Sequence, residues 1–283
     1  MFVVTGATGN VGGAVVRALA ADGRRVRAVS RRAPAAARTD LVEPVTADLD
    51  RPETLAGALE GARAVFLMSG YADMPGLLAR VAAAGVERVV LLSSSSVPSG
   101  DLDNAVAAYH IRSEQAVGES GVAHTFLRPS AFMSNTLQWV DQLAAGDVVR
   151  APFPDAAAAV VDPADIGAVA AAVLVRGGHD GEALRLTGPQ ALLPADRVRI
   201  LGEVLGRRLR FEGLTDEQAR AELTASMPAP YVDAFFRFYV DGDLDESPVL
   251  PTVGEVLGRG PRTFREWATA NARAFGPVVT AGS

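Results

Sequence analysis

The chain contains no cysteine. Disulfides, thiolate nucleophiles and cysteine-held metals are therefore excluded, and a reducing cytoplasm is the expected compartment. It contains no lysine either, so all 27 of its basic residues are arginines. No lysine acid, base or Schiff-base former is available to any reaction it runs. Only three histidines occur, His110, His124 and His179, and no spacing among them makes a metal motif, so no metal is expected. Long hydrophobic runs are missing too. Stretches such as Ala168 to Val175 fall far short of the roughly 18 residues that span a bilayer. An apolar run begins at Phe2, so no signal peptide is expected. The formal charge of −6 disfavours nucleic acid. The expected partner is a small molecule, with the chain a monomer or a homodimer.

What is present is a chain of 283 residues, 49% apolar, long enough to bury a large core. Its most informative stretch is Thr5-Gly6-Ala7-Thr8-Gly9-Asn10-Val11-Gly12, which follows the apolar Phe2-Val3-Val4 and leads into a helical pattern. Bare glycine spacing of this kind also marks tight turns that bind nothing. Strand, glycine-rich turn and helix in succession mark dinucleotide binding. In that context Gly6 allows the tight turn, Gly9 lets the pyrophosphate approach and Gly12 lets the helix sit close to the sheet. Thr8, Asn10 and Val11 complete the turn, whose N–H groups and helix dipole face the phosphates. The TGATGxxG form resembles the short-chain dehydrogenase/reductase superfamily in its extended and atypical branches.

Residues 1 to 150 alternate short apolar runs (Phe2–Thr5, Arg25–Val29, Pro44–Ala47, Ala64–Met68, Arg88–Leu92 and His124–Leu127) with helical stretches (Gly12–Ala21, Pro52–Leu59, Asp73–Ala84 and Asp103–Glu119). This alternation predicts an α/β fold, a Rossmann-like doubly wound parallel sheet with helices on both faces. Asp50 is the expected N-cap of the second helix, with Pro52 in its first turn. Residues 151 to 283 are a looser, mixed segment. It returns to the sheet and forms a smaller, mostly helical C-terminal substrate lobe. Ser130–Ala145, Pro163–Val175 and Pro194–Leu205 read as helices, and Leu184–Leu186 and Arg208–Glu212 as strands.

The second strand ends in Arg31-Arg32, where an acidic residue would bind the ribose hydroxyls of NAD. Two guanidinium groups suit a 2′-phosphate instead, which favours NADP(H) and leaves NAD(H) open, with Arg31 the first choice. In short-chain dehydrogenases an aspartate followed by an apolar residue at the end of the third strand contacts the adenine. Asp48-Leu49 stand there, although Asp48 could equally just end the strand. Met68 and Ser69 close the fourth strand, on the edge that lines the cofactor crevice.

The fifth strand runs into Ser93-Ser94-Ser95-Ser96, where the superfamily places a catalytic hydroxyl; Ser94 is the candidate among four neighbours. The usual Tyr-x-x-x-Lys dyad is absent. Tyr109 is the only nearby tyrosine, and Ser113 stands four residues on. The segments Tyr109-His110-Ile111-Arg112-Ser113-Glu114, Thr125-Phe126-Leu127-Arg128-Pro129 with Asn135, and Val160-Val161-Asp162-Pro163 resemble the NmrA-like atypical reductases and their NAD(P)H:quinone oxidoreductase relatives. The resemblance implies hydride transfer from NADPH to a quinone-like or other small carbonyl compound, a reaction that can pass straight to the ring without the missing lysine. It also implies an alternative, an NADP(H)-binding redox sensor of the NmrA type without turnover. His110 is either a general acid or an ordinary half-buried histidine. Phe132, Met133 and Phe235 are the expected substrate contacts. Tyr231, Phe235, Phe238 and Tyr239 share one face of a helical stretch that is either core or an apolar lid.

Overall fold

Strands made almost wholly of apolar residues belong where both faces are covered, and the computed structural model places them there. It describes residues 1–32 and 39–276. The first half runs β1 (Phe2–Val4), α1 (Asn10–Ala21), β2 (Val26–Ser30), β3 (Val42–Thr46), α2 (Ala56–Leu59), β4 (Ala64–Met68), α3 (Met74–Ala83), β5 (Arg88–Leu92), α4 (Ala105–Glu119) and β6 (Ala123–Pro129). The rest runs α5 (Val140–Ala145), β7 (Val148–Ala151), α6 (Pro163–Arg176), β8 (Ala183–Leu186), α7 (Pro194–Leu205), β9 (Arg210–Gly213), α8 (Asp216–Ser226), α9 (Ala229–Tyr239), α10 (Thr252–Leu257) and α11 (Phe264–Asn271).

Seven strands form one sheet in the order β3-β2-β1-β4-β5-β6-β8, and every pairing in it is parallel. Period-two geometry divides each strand between two cores. Phe2, Val4, Ala64 and Phe66 face the layer of α1, α6 and α10. Val3, Val65 and Leu67 face α2, α3 and α4. The chain winds outward from β1 to β3, then restarts at β4 and winds the other way. The carboxyl ends of β1 and β4 therefore flank the point where the order reverses, the crevice that ligands use in open parallel sheets. On the first face α6 lies hard against α1. A Cβ on Gly167 would stand 2.6 Å from the Ala14 Cβ and 2.8 Å from the Val15 nitrogen.

A third core gathers Trp139, Val149, Leu201, Phe264 and Trp267 from the second half. It includes the parallel pair β7–β9, whose first strand the sequence pattern does not announce. Two local expectations are corrected. The segment Pro52–Leu59 begins as a 3-10 turn with Arg51 at the N-cap position and no side-chain cap, while the Asp50 carboxylate accepts from the Ala72 N–H. The stretch from Ser130 is not a helix throughout. Phe132 bridges to Val161 as extended chain, and the Ser130 hydroxyl donates to the Ala159 carbonyl. Met133–Trp139 is 3-10, and only Val140–Ala145 is α-helical. Backbone pairing with 159–161 outcompetes the local helical pattern there.

Candidate active site

The glycine turn is built around three close approaches. Gly6 has φ of +61°, and a Cβ on it would stand 2.4 Å from the Met68 sulfur. Gly12 sits where a Cβ would meet the Gly6 carbonyl oxygen at 2.2 Å and the Thr5 oxygen at 2.8 Å. Gly9 is the N-cap of α1 and supplies no side-chain acceptor, so the N–H groups of the first helical turn stay available. Thr8, Gly9 and Asn10 are exposed at this open end, and the Val11 side chain is buried behind it. A cradle that side chains would fill, ending in an uncapped helix N-terminus, fits the pyrophosphate of a dinucleotide.

Beyond β2, Arg31 and Arg32 are exposed. Arg31 has no ion-pair partner among the described residues, and its charge reaches the half-buried Tyr71, which hydrogen-bonds Thr5. Burial pushes the Tyr71 hydroxyl pKa up, and the nearby Asp48 and Asp50 add to this. Arg38 lies outside the described residues. Asp48 accepts from the Asp50 N–H at 3.2 Å and pairs with Arg51 at 3.4 Å, so its carboxylate organises the turn after β3. Leu49 is buried among Val29, Leu55 and their neighbours.

Past the end of β4 a cavity of about 290 Å³ opens. Met68, Ser69 and Ser94 border it from the strand ends. Tyr109 and His110 come from α4, Phe132 and Asn135 from the segment after β6, and Phe235, Phe238 and Tyr239 from α9. Of the catalytic and substrate residues expected from the sequence, Ser94, Tyr109, His110, Phe132 and Phe235 all line this cavity. Met133 is the exception. It is 1% exposed, packs in the third core and does not line the cavity. On α9, Tyr231 points to solvent, while the other three aromatic residues of its expected face line the wall.

The four serines are separated by their hydrogen bonds. Ser93 donates to Glu114 at 2.5 Å, Ser95 donates to Glu246 at 2.8 Å, and Ser96 donates to the Ser94 hydroxyl at 2.9 Å. Ser94 is the one left half-exposed on the cavity wall. At the position of the usual lysine, Ser113 is buried. It accepts from the Gly70 N–H at 3.0 Å and donates to the Tyr109 carbonyl at 2.7 Å. It staples α4 to the turn after β4. Burial, and then the nearby Tyr231, raise the Tyr109 pKa, and among the described residues no cation lowers it.

His110 has a buried Nδ1 with no partner, and burial lowers its pKa to about 4. Burial thus favours the neutral imidazole at neutral pH. The lowered value also sets a pH dependence. The unfolded chain protonates His110 near 6.5 and the folded chain near 4, so the stabilisation is present above pH 6.5 and is lost as pH falls toward 4. It amounts to about 3 kcal/mol. Urea unfolding at pH 7 and pH 4.5 should show this loss in the wild type and a smaller one in His110→Gln; equal losses would exclude His110 as its source.

Two functional candidates went unseen in the sequence. Glu246, 6% exposed, borders the cavity and accepts from Ser95, from the Tyr239 hydroxyl at 3.0 Å and from the Ala131 N–H. Burial pushes its carboxyl pKa up against the pull of these donors and of Arg197. Tyr239 is raised well above its ordinary value by burial and by that carboxylate. The other candidate is Arg197 itself, which lines an adjoining space. Glu246 lies in a loop and Arg197 on a helix far along the chain, so neither forms a local motif. Among the described residues no cluster of potential ligands could hold a metal ion, and no helix is long and apolar enough to cross a membrane.

Residues 1–268 match the model of the NmrA-like family. The chain belongs to that family. It is 41% identical over 98% of its length to the whole of a (4-alkanoyl-5-oxo-2,5-dihydrofuran-3-yl)methyl phosphate reductase from Streptomyces griseus. It is 33% identical to an NAD(P)H azoreductase from Xenophilus azovorans, over 98% of the chain and 99% of that protein. Among solved structures, an NADPH-dependent quinone oxidoreductase from Escherichia coli, in complex with NADPH, superposes with a TM-score of 0.78 at 23% identity, over 96% of this chain and all of that one. This NmrA-like chain shares the fold described above with that solved structure.

Proposed function

We propose that this NmrA-like protein is an NADPH-dependent reductase that delivers a hydride to an electron-poor, unsaturated ring, either a quinone or a related conjugated carbonyl compound. The observation that carries this is the cavity at the carboxyl ends of β4 and β5. It is walled by aromatic side chains and lined by Ser94 and Tyr109, and Met68, which also lines it, packs against Gly6 of the glycine turn. Relatives named for reducing a dihydrofuran phosphate, an azo compound and a quinone support the same chemistry.

Gly6, Gly9 and Gly12, with Thr8, Asn10 and the N–H of Val11, would hold the pyrophosphate. Arg31 would pair with the 2′-phosphate, Asp48 and Leu49 would border the adenosine, and Met68 and Ser69 would flank the nicotinamide ribose. When bound, the cofactor supplies the hydride. Phe132, Phe235 and Phe238 would stack against the ring and exclude water. Ser94 and Tyr109 would donate hydrogen bonds to its carbonyl oxygen, stabilising the charge that develops there. A ring whose reduced form is a stable enolate or hydroquinone anion takes its proton late, so a lysine-lowered tyrosine is not required.

The test is to mix purified protein with NADPH and a panel of quinones and unsaturated lactones and to follow loss of the nicotinamide absorbance. Tight NADPH binding with no turnover of any of them would sink the reductase reading and leave a cofactor-sensing role. Arg31→Ala should weaken NADPH binding by about tenfold or more, the scale of a charged hydrogen bond, and NADH binding far less. Equal losses for the two cofactors would remove Arg31 from the 2′-phosphate.

A further inference from the structure

A second cavity of about 220 Å³ adjoins the aromatic one, and Ala131, Asn135, Phe235 and Tyr239 line both. The far wall is apolar, formed by Pro152, Phe153, Leu223 and Met227. One charged side chain lines this space, that of Arg197 on α7. Its Nε is shut off from solvent without a hydrogen-bond partner, and no carboxylate pairs with its terminal nitrogens among the described residues. Arg88, Arg128 and Arg207, whose side chains are 15–20% exposed, each hold a carboxylate at 2.8 Å or less. Arg197 rests instead on the Trp139 ring, 5.6 Å from its centroid, which steadies the guanidinium and accepts no hydrogen bond. Glu246 attracts it through space, but that carboxylate is occupied by Ser95 and Tyr239.

A partly buried cation without a counter-ion costs stability, so its retention needs a compensating partner. The backbone beside it supplies an independent sign of a shaped site. Phe153 has φ of +55°, the only non-glycine residue described with positive φ, and its ring meets Phe236 and Tyr239 at 5.3 and 5.2 Å. A phenylalanine held in the left-handed region costs about 1–2 kcal/mol, and such strain clusters where ligands are bound.

We propose that the second cavity is a subsite for an anionic substituent of the substrate, a phosphate monoester or carboxylate on a short alkyl arm, with Arg197 as its counter-ion. The unsaturated ring lies between Phe132 and Phe235, the arm passes the shared wall, and the planar guanidinium takes two oxygens of the anion. That the anion belongs to a substrate rests on the reductase reading; that the cavity binds one does not.

The two are separated by measuring binding as well as turnover. Butyl phosphate and butyrate are titrated calorimetrically into protein saturated with NADP⁺, with inorganic phosphate as the armless control. At least one alkyl anion should bind the wild type, and the tighter of the two names the class. Inorganic phosphate should bind more weakly. Arg197→Met should weaken the alkyl anion by about tenfold or more, and Arg197→Lys by less. Arg197→Met should melt no lower than the wild type, because it removes an uncompensated charge; a purely structural arginine would lower the melting temperature. Where quinones are reduced, Arg197→Met should raise KM for a quinone with an anionic arm about tenfold more than for its neutral analogue, with the change in KM rather than kcat. Failure of both alkyl anions to bind, or equal binding to wild type and Arg197→Met, overturns the subsite. Arg197-dependent binding without reduction of any quinone keeps the subsite and discards the reductase.

Discussion

Gly12→Ala should lower the melting temperature by about 6–12 °C and abolish NADPH binding, as read by thermal unfolding and by nicotinamide fluorescence. The new methyl would be driven into the Gly6 carbonyl oxygen, the Gly6 carbonyl carbon and the Thr5 oxygen, all at 2.8 Å or less. Every one of these atoms is backbone, so no side-chain rotation relieves the clash. Either α1 lifts from the sheet or the turn after β1 opens. Overpacking of this kind costs about 3 kcal/mol or more, and each kcal/mol is about 2–4 °C in a domain of this size. The same movement would pull the first-turn N–H groups away from the proposed place of the pyrophosphate, so stability and binding should fall together. Gly13→Ala is the matched control. Its nearest neighbours, the Ala7 oxygen and one Arg17 nitrogen, stand at 3.3 Å, and alanine is the better helix former. It should fall within about 1 kcal/mol of the wild type. Equal behaviour of the two variants would mean that helix propensity, and not the close approach, governs the turn.

Glu114→Ala should destabilise the chain by about 3–5 kcal/mol in urea unfolding, the cost of stranding a buried charge. Glu114 is 7% exposed and receives Arg128 through two nitrogens, at 2.9 and 2.6 Å, and the Ser93 hydroxyl at 2.5 Å. One carboxylate thus ties α4 to the ends of β5 and β6. Removing it leaves the Arg128 guanidinium, 20% exposed, without its partner. Replacing both residues, Glu114→Met with Arg128→Met, should recover most of the loss, since the charge that must be compensated is gone. A double variant no more stable than Glu114→Ala would place the loss in packing. Because Ser93 is the neighbour of Ser94, Glu114→Ala should also lower turnover beyond what the unfolded fraction explains.

These two sites mark what could be read from the chain and what could not. The sheet was legible because its strands are buried on both faces: Val3-Val4, Ala64 to Met68 and Arg88 to Leu92 carry their own signal, and the turn at Gly6 to Gly12 carries the signal of its ligand class. Arg128-Pro129 was visible as part of a family-like segment, yet its role waited on Glu114, fourteen residues earlier, being brought under it. Local pattern misled where non-local pairing prevailed. Ser130 to Phe132 has helical composition but is held extended by residues 159–161, and β7 is too short to announce itself without its partner β9. The hydrogen bonds that distinguish Ser94 from Ser93 and Ser95, and the burial of His110, depend on residues distant in sequence and leave no local mark. Arg197 and Glu246 carry no local signature at all. Each is one arginine or glutamate among many, and only the convergence of α7, α9 and the loop after it gives them meaning.

The contact between Gly167 and α1 bears on how proteins of this architecture can be recombined. The helix that presents the first-turn N–H groups is wedged in place by a residue some 150 positions later in the chain, against Ala14 and Val15. A crossover anywhere between these positions would join a cofactor turn from one parent to a wedge from another. Chimeras that keep a small residue at both 14 and 167 should fold, and those that bring a larger one to either should not. Heredity here follows the helix pair, and the N-terminal and C-terminal halves can be traded only between parents that keep both contact residues small.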